Sequence, residues 1–218
     1  MWPALAQAQQ PTLPTIGFMS GRSPDDSRHL VAAFHQGLGQ AGFVEGKNVA
    51  VEYRWALGQY DRLPAMAADL VKRRVAVLVA VGGDPSGLAA KQATSTIPIV
   101  VGLGGDPVKS GLVESLSRPG ANATGYTLLT ADLEPKRLGM LHDLVPNATV
   151  VGVLVNPKFL PAAGQLTTLE KSAQTIAQRI TVFKASSDAE LDAGFTSLLQ
   201  QRVSALLVMS DPLCVPKT

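Results

Sequence analysis

The chain has 218 residues, 46% of them hydrophobic and 5% aromatic, with a formal net charge of +2. That apolar content supplies a core and argues against disorder, and the small charge with its dispersed basic residues argues against nucleic-acid binding. Cys214 is the single cysteine, so an internal disulfide is excluded, and no apolar run reaches the roughly 18 residues that span a bilayer.

Residues 1–12 read as lying outside the fold. Ala6-Gln7-Ala8 fits the small-x-small site that ends an export signal, here without the charged start that should precede it. Pro14 to Ser20 is the first predicted strand, and Gly21 to Asp26 its loop, where Ser23 and Asp26 have capping-box spacing. Leu30, Phe34, Leu38 and Ala41 then form one helical stripe that ends at Gly42. Val49 to Trp55 alternates as a strand near a sheet edge would, with Tyr53 and Trp55 packing on the sheet. Leu63, Met66, Leu70 and Val71 face inward on a second helix.

The next stretch organises the chain. Val75 to Val81 and Ile97 to Leu103 are short apolar runs rich in β-branched residues, suited to strands buried on both faces. Each is followed by Gly-Gly-Asp-Pro, at 82–85 and 104–107. Asp is a good N-cap and Pro is tolerated at the first helical position, so both tetrapeptides predict a helix start. The second helix is expected to end near Ser117, before Arg118-Pro119-Gly120, and Ala123 to Leu128 is a further strand. Tandem β-loop-α units imply parallel strands with right-handed crossovers.

A second pattern follows. Leu133, Arg137, Leu138, Leu141 and Val145 lie at helical spacing. Thr149 to Val155 is a strand, Ala162 to Gln178 a helix, Ile180 to Phe183 a strand, Leu191 to Leu198 a helix, and Ser204 to Met209 a strand. The expected organisation is a signal-peptide remnant or flexible terminus over 1–12, an α/β lobe over 13–128 and a partial, unfinished α/β lobe over 129–218.

Four strand ends share one signature: Asp84-Pro85, Asp106-Pro107, Asn156-Pro157 and Asp211-Pro212. Ser23-Pro24 is a variant. Each alone reads as a helix cap worth about 1 kcal/mol. Together they fall at the carboxyl edges of parallel sheets, where ligands bind. Gly82, Gly83, Gly104 and Gly105 would let a ligand reach backbone N–H groups, and a helix N-terminus favours a carboxylate there. Ser86 and Ser110 offer hydroxyls.

Nucleotide motifs fail on inspection. Residues 104–110 lack the glycine before lysine of a phosphate-binding loop, and Gly102-Leu103-Gly104 has Pro107 where a dinucleotide fingerprint needs glycine. His29, His35 and His142 fall within predicted helices without partners for acid–base work, and no G-x-S-x-G elbow or metal-ligand spacing occurs.

The stretches PTIGFMSGRSPDDSRHLVAAFHQGLGQAGFVEGKNVAVEYRWALGQYDRLPAMAADLVKRRVAVLVAVGG, TSTIPIVVGLGGDPVKSGLVESLSRPGANATGYT and LEPKRLGMLHDLVP resemble bacterial ABC-transporter substrate-binding proteins of the type-1 periplasmic-binding-protein fold. The resembling group includes binders of tryptophan and other aromatic amino acids. GDPVKSGLVESLSRPGANATG is the specific part, though PGANATG stands where the family more often has PGGNVTG. Family members carry an export signal often ending in AQQP, matched by Ala8 to Pro11.

The resemblance implies two Rossmann-like lobes with parallel sheets closing on a small solute, no cofactor, a membrane permease as partner, and a periplasmic or otherwise exported location. Its implied ligand contacts are Ser20, Gly21, Gly83, Asp84, Pro85, Ser86, Asp106, Pro107, Gly125, Tyr126, Thr127, Asn156 and Asp211. The competing classes are an enzyme on the same architecture, for which the sequence shows no paired nucleophile and base, and the ligand-sensing core of a regulator.

Overall fold

The computed structural model describes residues 13–159, 161–201 and 203–211. The leader motif, Pro212 and Cys214 therefore lie outside the described residues. The first sheet holds β1 (Thr15–Ser20), β2 (Ala50–Trp55), β3 (Val77–Val81), β4 (Ile99–Leu103) and β5 (Ala123–Thr127). They are all parallel, in the order β2-β1-β3-β4-β5. Helices α1 (Arg28–Gln40), α2 (Leu63–Lys72) and α3 (Asp84–Ala93) make the crossovers. Then come α4 (Glu134–Leu144), β6 (Val150–Val155), α5 (Ala162–Thr175), β7 (Arg179–Lys184), α6 (Asp188–Gln200) and β8 (Ala205–Val208). The second parallel sheet runs β7-β6-β8. The expected α/β class with parallel sheets holds, as does the placement of β2 at an edge.

The strand order positions the site. The chain runs from β1 out to β2, then returns past β1 to β3, so the connection reverses direction between β1 and β3. The second sheet reverses likewise between β6 and β8. Ligands of open α/β sheets lie at such reversals, outside the carboxyl ends. Register keeps those ends level: Met19 is opposite Ala80, Ala80 opposite Val101, and Val101 opposite Gly125.

One core runs through both halves. Met19, Leu70, Leu78 and Ile99 of the first sheet and its helices are continuous with Leu138, Val151, Val153 and Leu169 of the second. The other face of the first sheet carries a smaller cluster around Phe18, which meets Phe34, Tyr53 and Trp55 at centroid distances of 5.2, 5.3 and 5.5 Å. Phe34 and Leu38 seat α1 there, as their spacing predicts; Leu30 instead stays exposed.

The predicted helix after β4 does not form. Asp106 Oδ1 accepts from the N–H groups of Val108 and Lys109 at 2.8 and 3.2 Å, and one turn closes through Ser110 N to Asp106 O at 3.0 Å. Gly111 then takes a φ of 72° and ends it. The segment is poor in helix formers, with Val, Ser and Gly at most positions, and its backbone finds other partners. Lys91 Nζ donates to the carbonyls of Gly111 and Leu112 at 2.8 Å each, and Leu112 is buried.

The capping reading also needs correction. Gly83, with φ 116°, is the N-cap of α3, and Asp84-Pro85 lie inside its first turn. Asn156 Oδ1 accepts from Lys158 N at 3.0 Å, a local turn, and α5 starts only at Ala162. Ser23 does act as expected: its Oγ accepts from Asp26 N at 3.2 Å and donates to Asp26 Oδ2 at 2.6 Å.

Candidate functional site

A cleft of about 350 Å³ opens between the carboxyl ends of the two sheets. Its floor is made by the β1 and β3 ends, where backbones touch. A Cβ on Gly21 would stand 2.7 Å from Gly82 O and 2.8 Å from Tyr60 Cε1, and a Cβ on Gly82 would land on Ser20 Oγ. Gly82 also has a φ of 74°. Both positions therefore need glycine, and the floor presents main chain to a ligand.

One wall is the clipped pair of Gly-Gly loops. Asp84, buried at 7% exposure, accepts from Gly104 N at 3.2 Å and Gly105 N at 3.1 Å through the same Oδ1. Thr127 Oγ1 donates to Gly105 O at 2.6 Å and Thr130 Oγ1 to Gly104 O at 3.3 Å. The amides of Gly104 and Gly105, expected from sequence to be open to a ligand, are thus spent on Asp84. What remains at this wall is the start of α3, whose positive dipole end meets the cleft at Gly83 and Asp84; Pro85 has no N–H, and Ser86 N donates to Gly83 O at 3.1 Å.

Apolar surface comes from Leu30, Leu103, Tyr126 and Leu128, with Tyr126 62% exposed. The second sheet's half contributes Phe159, Gln165, Ser210 and Asp211. Glu134, 1% exposed at the start of α4, holds Ser210 in place: its Oε1 accepts from Ser210 N at 2.7 Å, and Arg137 balances its charge at 3.1 Å.

Of the residues singled out in the sequence, Gly82, Gly83, Asp84, Gly104, Gly105, Tyr126 and Asp211 line this cleft, and Ser20 and Gly21 lie beneath its floor. Pro85 and Ser86 are buried within α3, behind the wall. Asp106 is turned into its own loop. Pro107, Gly125 and Thr127 border a separate hollow of about 80 Å³ on the far side of Tyr126. Asn156 is buried in its turn below the cleft. Sequence reasoning missed Arg22, Leu128, Phe159 and Gln165. Arg22 follows the loop glycine directly, which is a signal of position; Gln165 sits on a helix with no mark at all.

None of the three histidines lines the cleft. His35 bonds the Tyr53 hydroxyl at 2.7 Å, His142 bonds Gln178 at 2.8 Å, and His29 lies on α1. Burial, together with the nearby Glu45 charge, pushes the Tyr53 phenol up to about 12. Among the described residues, no cluster of His, Cys, Asp or Glu is placed to hold a metal, and no helix is long and apolar enough to cross a membrane.

Comparison with known proteins agrees with this architecture. The tyrosine-binding protein of Clostridioides difficile is 28% identical over 183 residues, which cover 84% of this chain and 52% of that protein. A conserved domain protein from Vibrio cholerae superposes with a TM-score of 0.75 at 24% identity, over 89% of this chain and 64% of that one. The ABC domain from Streptococcus pneumoniae, solved with L-Trp, superposes with a TM-score of 0.74 at 20% identity, over 92% and 66%. The chain thus spans about half to two thirds of the length of these relatives. The model of the ABC transporter substrate binding protein family matches residues 17–217, nearly the whole chain, and it is to that family that this protein belongs.

Proposed function

We propose that this chain is the solute-recognition part of an exported receptor that delivers an amino acid with a large apolar or aromatic side chain to an ABC importer. The observation that carries the reading is the cleft itself. It lies where both sheets reverse their strand order, and it takes walls from both. Its volume sits at the low end of the roughly 300–1,000 Å³ typical of ligand pockets, which suits a single small solute.

The amino acid's carboxylate rests at the N-terminus of α3, beside Gly83 and Asp84, where the helix dipole favours an anion. Its side chain lies against Tyr126, Leu128 and Phe159, and Asp211 brings negative charge to the side of the ammonium. The tyrosine-binding relative supports the aromatic class. Closure about the crossover segments brings the second sheet's residues onto a ligand already held by the first. The ligand then stabilises the closed state by its greater affinity for it. The lobe boundary is placed near residue 128, the working location outside the cytoplasmic membrane, and the partner is a membrane permease.

The test is a thermal-shift screen of the full-length protein against amino acids, nucleobases and sugars, followed by calorimetry. Tyrosine, tryptophan or phenylalanine should raise the melting temperature with concentration. Stabilisation by sugars alone, or chemical turnover of a bound compound, would replace this reading.

A further inference from the structure

We infer that Arg22 is the charge-reading residue of the cleft, taking the ligand's anionic group on its guanidinium, while Gln165 across the cleft takes a donor group of the same ligand. The inference rests on the cleft being the binding site, as proposed above, and adds the polarity of what it accepts.

Arg22 is 8% exposed and lines the cleft beside Gly82. Its guanidinium makes one hydrogen bond, from Nη2 to Asp26 O at 3.1 Å. Among the described residues, its Nε has no hydrogen-bond partner and no carboxylate stands within 4.0 Å. The nearest acid in sequence, Asp26, has its carboxylate engaged by Ser23 Oγ. A buried cation is normally paired, and a buried donor left open is costly. Here both conditions are unmet on a wall that faces a cavity, so the missing partner is a ligand.

The side chain is also held ready. Arg22 N donates to Ser20 Oγ at 3.1 Å, and Leu57 N donates to Arg22 O at 3.2 Å. The aliphatic stem lies against Gly82, where an added Cβ would sit 3.2 Å from Cγ. The guanidinium fork matches a planar carboxylate, and the α3 N-terminus begins next to it. One anionic group would thus meet a cation and the positive end of the helix dipole together. On the opposite wall, Gln165 Oε1 is likewise buried without a partner among the described residues. A ligand that carries both an anionic group and an N–H donor satisfies both, and a zwitterionic amino acid has the two groups on one carbon.

The experiment compares L-tyrosine with L-tyrosine methyl ester by calorimetry on the full-length wild-type protein and on Arg22→Gln and Arg22→Lys. The wild type should prefer the acid by about 50-fold or more, the scale of stranding one half of a buried charge pair. Arg22→Gln should lose that preference by weakening the acid alone, and Arg22→Lys should restore part of it. Equal weakening of acid and ester, or an unchanged preference, overturns the role of Arg22. The wild-type preference is itself a test should Arg22→Gln fail to fold, since an indifferent wild type refutes charge reading. If tyrosine does not bind but other carboxylate- or phosphate-bearing solutes stabilise the wild type and not Arg22→Gln, the amino-acid reading falls while Arg22 stands. Stabilisation by uncharged solutes alone ends the inference.

Discussion

Tyr60 and Asp211, 151 residues apart in the chain, meet across the two lobes: the Tyr60 hydroxyl donates to Asp211 Oδ1 at 3.5 Å. The same ring packs on Phe159 of the second lobe at a centroid distance of 5.8 Å. Tyr60 therefore joins the lobes at one end of the cleft by a polar and an apolar contact that can be separated. Tyr60→Phe keeps the ring and removes the hydroxyl, so ligand affinity should fall about 2- to 12-fold, the range of one ordinary hydrogen bond. Tyr60→Ala should lose more. Calorimetry on the full-length protein decides; equal losses in both variants would assign the whole effect to the hydroxyl.

Asp84 ties two loops together. Asp84→Ala leaves the amides of Gly104 and Gly105 without their acceptor, at a cost of roughly 2–4 kcal/mol in unfolding free energy. Asp84→Asn retains an oxygen in the same place and should cost about half as much. Urea denaturation of the two variants measures the difference, and a silent Asp84→Ala would mean the loops need no clip.

Gly125 lies within β5 at a φ of 153°, and a Cβ there would overlap Val101 O on the neighbouring strand. Gly125→Ala combines strained backbone with a main-chain collision. It should cost about 3 kcal/mol or more, or abolish soluble expression. Gly139→Ala is the control, because nothing lies within 4 Å of the added atom.

Glu134 acts on the site from a distance. Glu134→Gln weakens its grip on Ser210 N and removes the charge that Arg137 balances, so Ser210 and Asp211 should lose their set position. Affinity should drop about tenfold, the scale of a charge-assisted hydrogen bond. The expected signature is a faster dissociation rate in stopped-flow binding, with the association rate little changed.

Asp106 makes a pH-dependent contribution. The N–H groups of Val108 and Lys109, then the Lys109 charge, hold its carboxyl below the ordinary carboxylate range. A group depressed in the folded state stabilises at pH values above its unfolded pKa, near 4, and that contribution is lost as pH falls through the folded value. Asp106→Ala should therefore lower the melting temperature at pH 7, and its difference from wild type should close in strong acid. A constant difference across that range would show that the charge is irrelevant.

The sheet was legible because buried parallel strands leave a plain mark. Val77–Val81 and Val150–Val155 are continuous apolar runs, while the edge strand Ala50–Trp55 alternates. The two Gly-Gly-Asp-Pro loops show where local reading stops. At 82–85 the motif opens a ten-residue helix with three alanines, including buried Ala89 and Ala90. At 104–107 the same four residues lead into Val, Ser and Gly111, and the chain turns once and unwinds. What separates them is the sequence that follows and the reach of Asp84 across 20 residues to the other loop. The site was legible only at strand ends, as at Gly83 and Asp211. Arg22 and Gln165 matter because of what fails to meet them in three dimensions, and no spacing encodes that.

The bare main chain at Gly82, packed over Gly21, divides the cleft into a fixed part and a variable one. Because no side chain grows from Gly82, a solute seated there would meet backbone alone, which substitution cannot retune without strain. Under the proposed function, choice between solutes would fall to Leu128, Phe159 and Gln165, which line the cleft from other segments. A biosensor designer retargeting this scaffold should randomise those three positions and leave the glycines untouched.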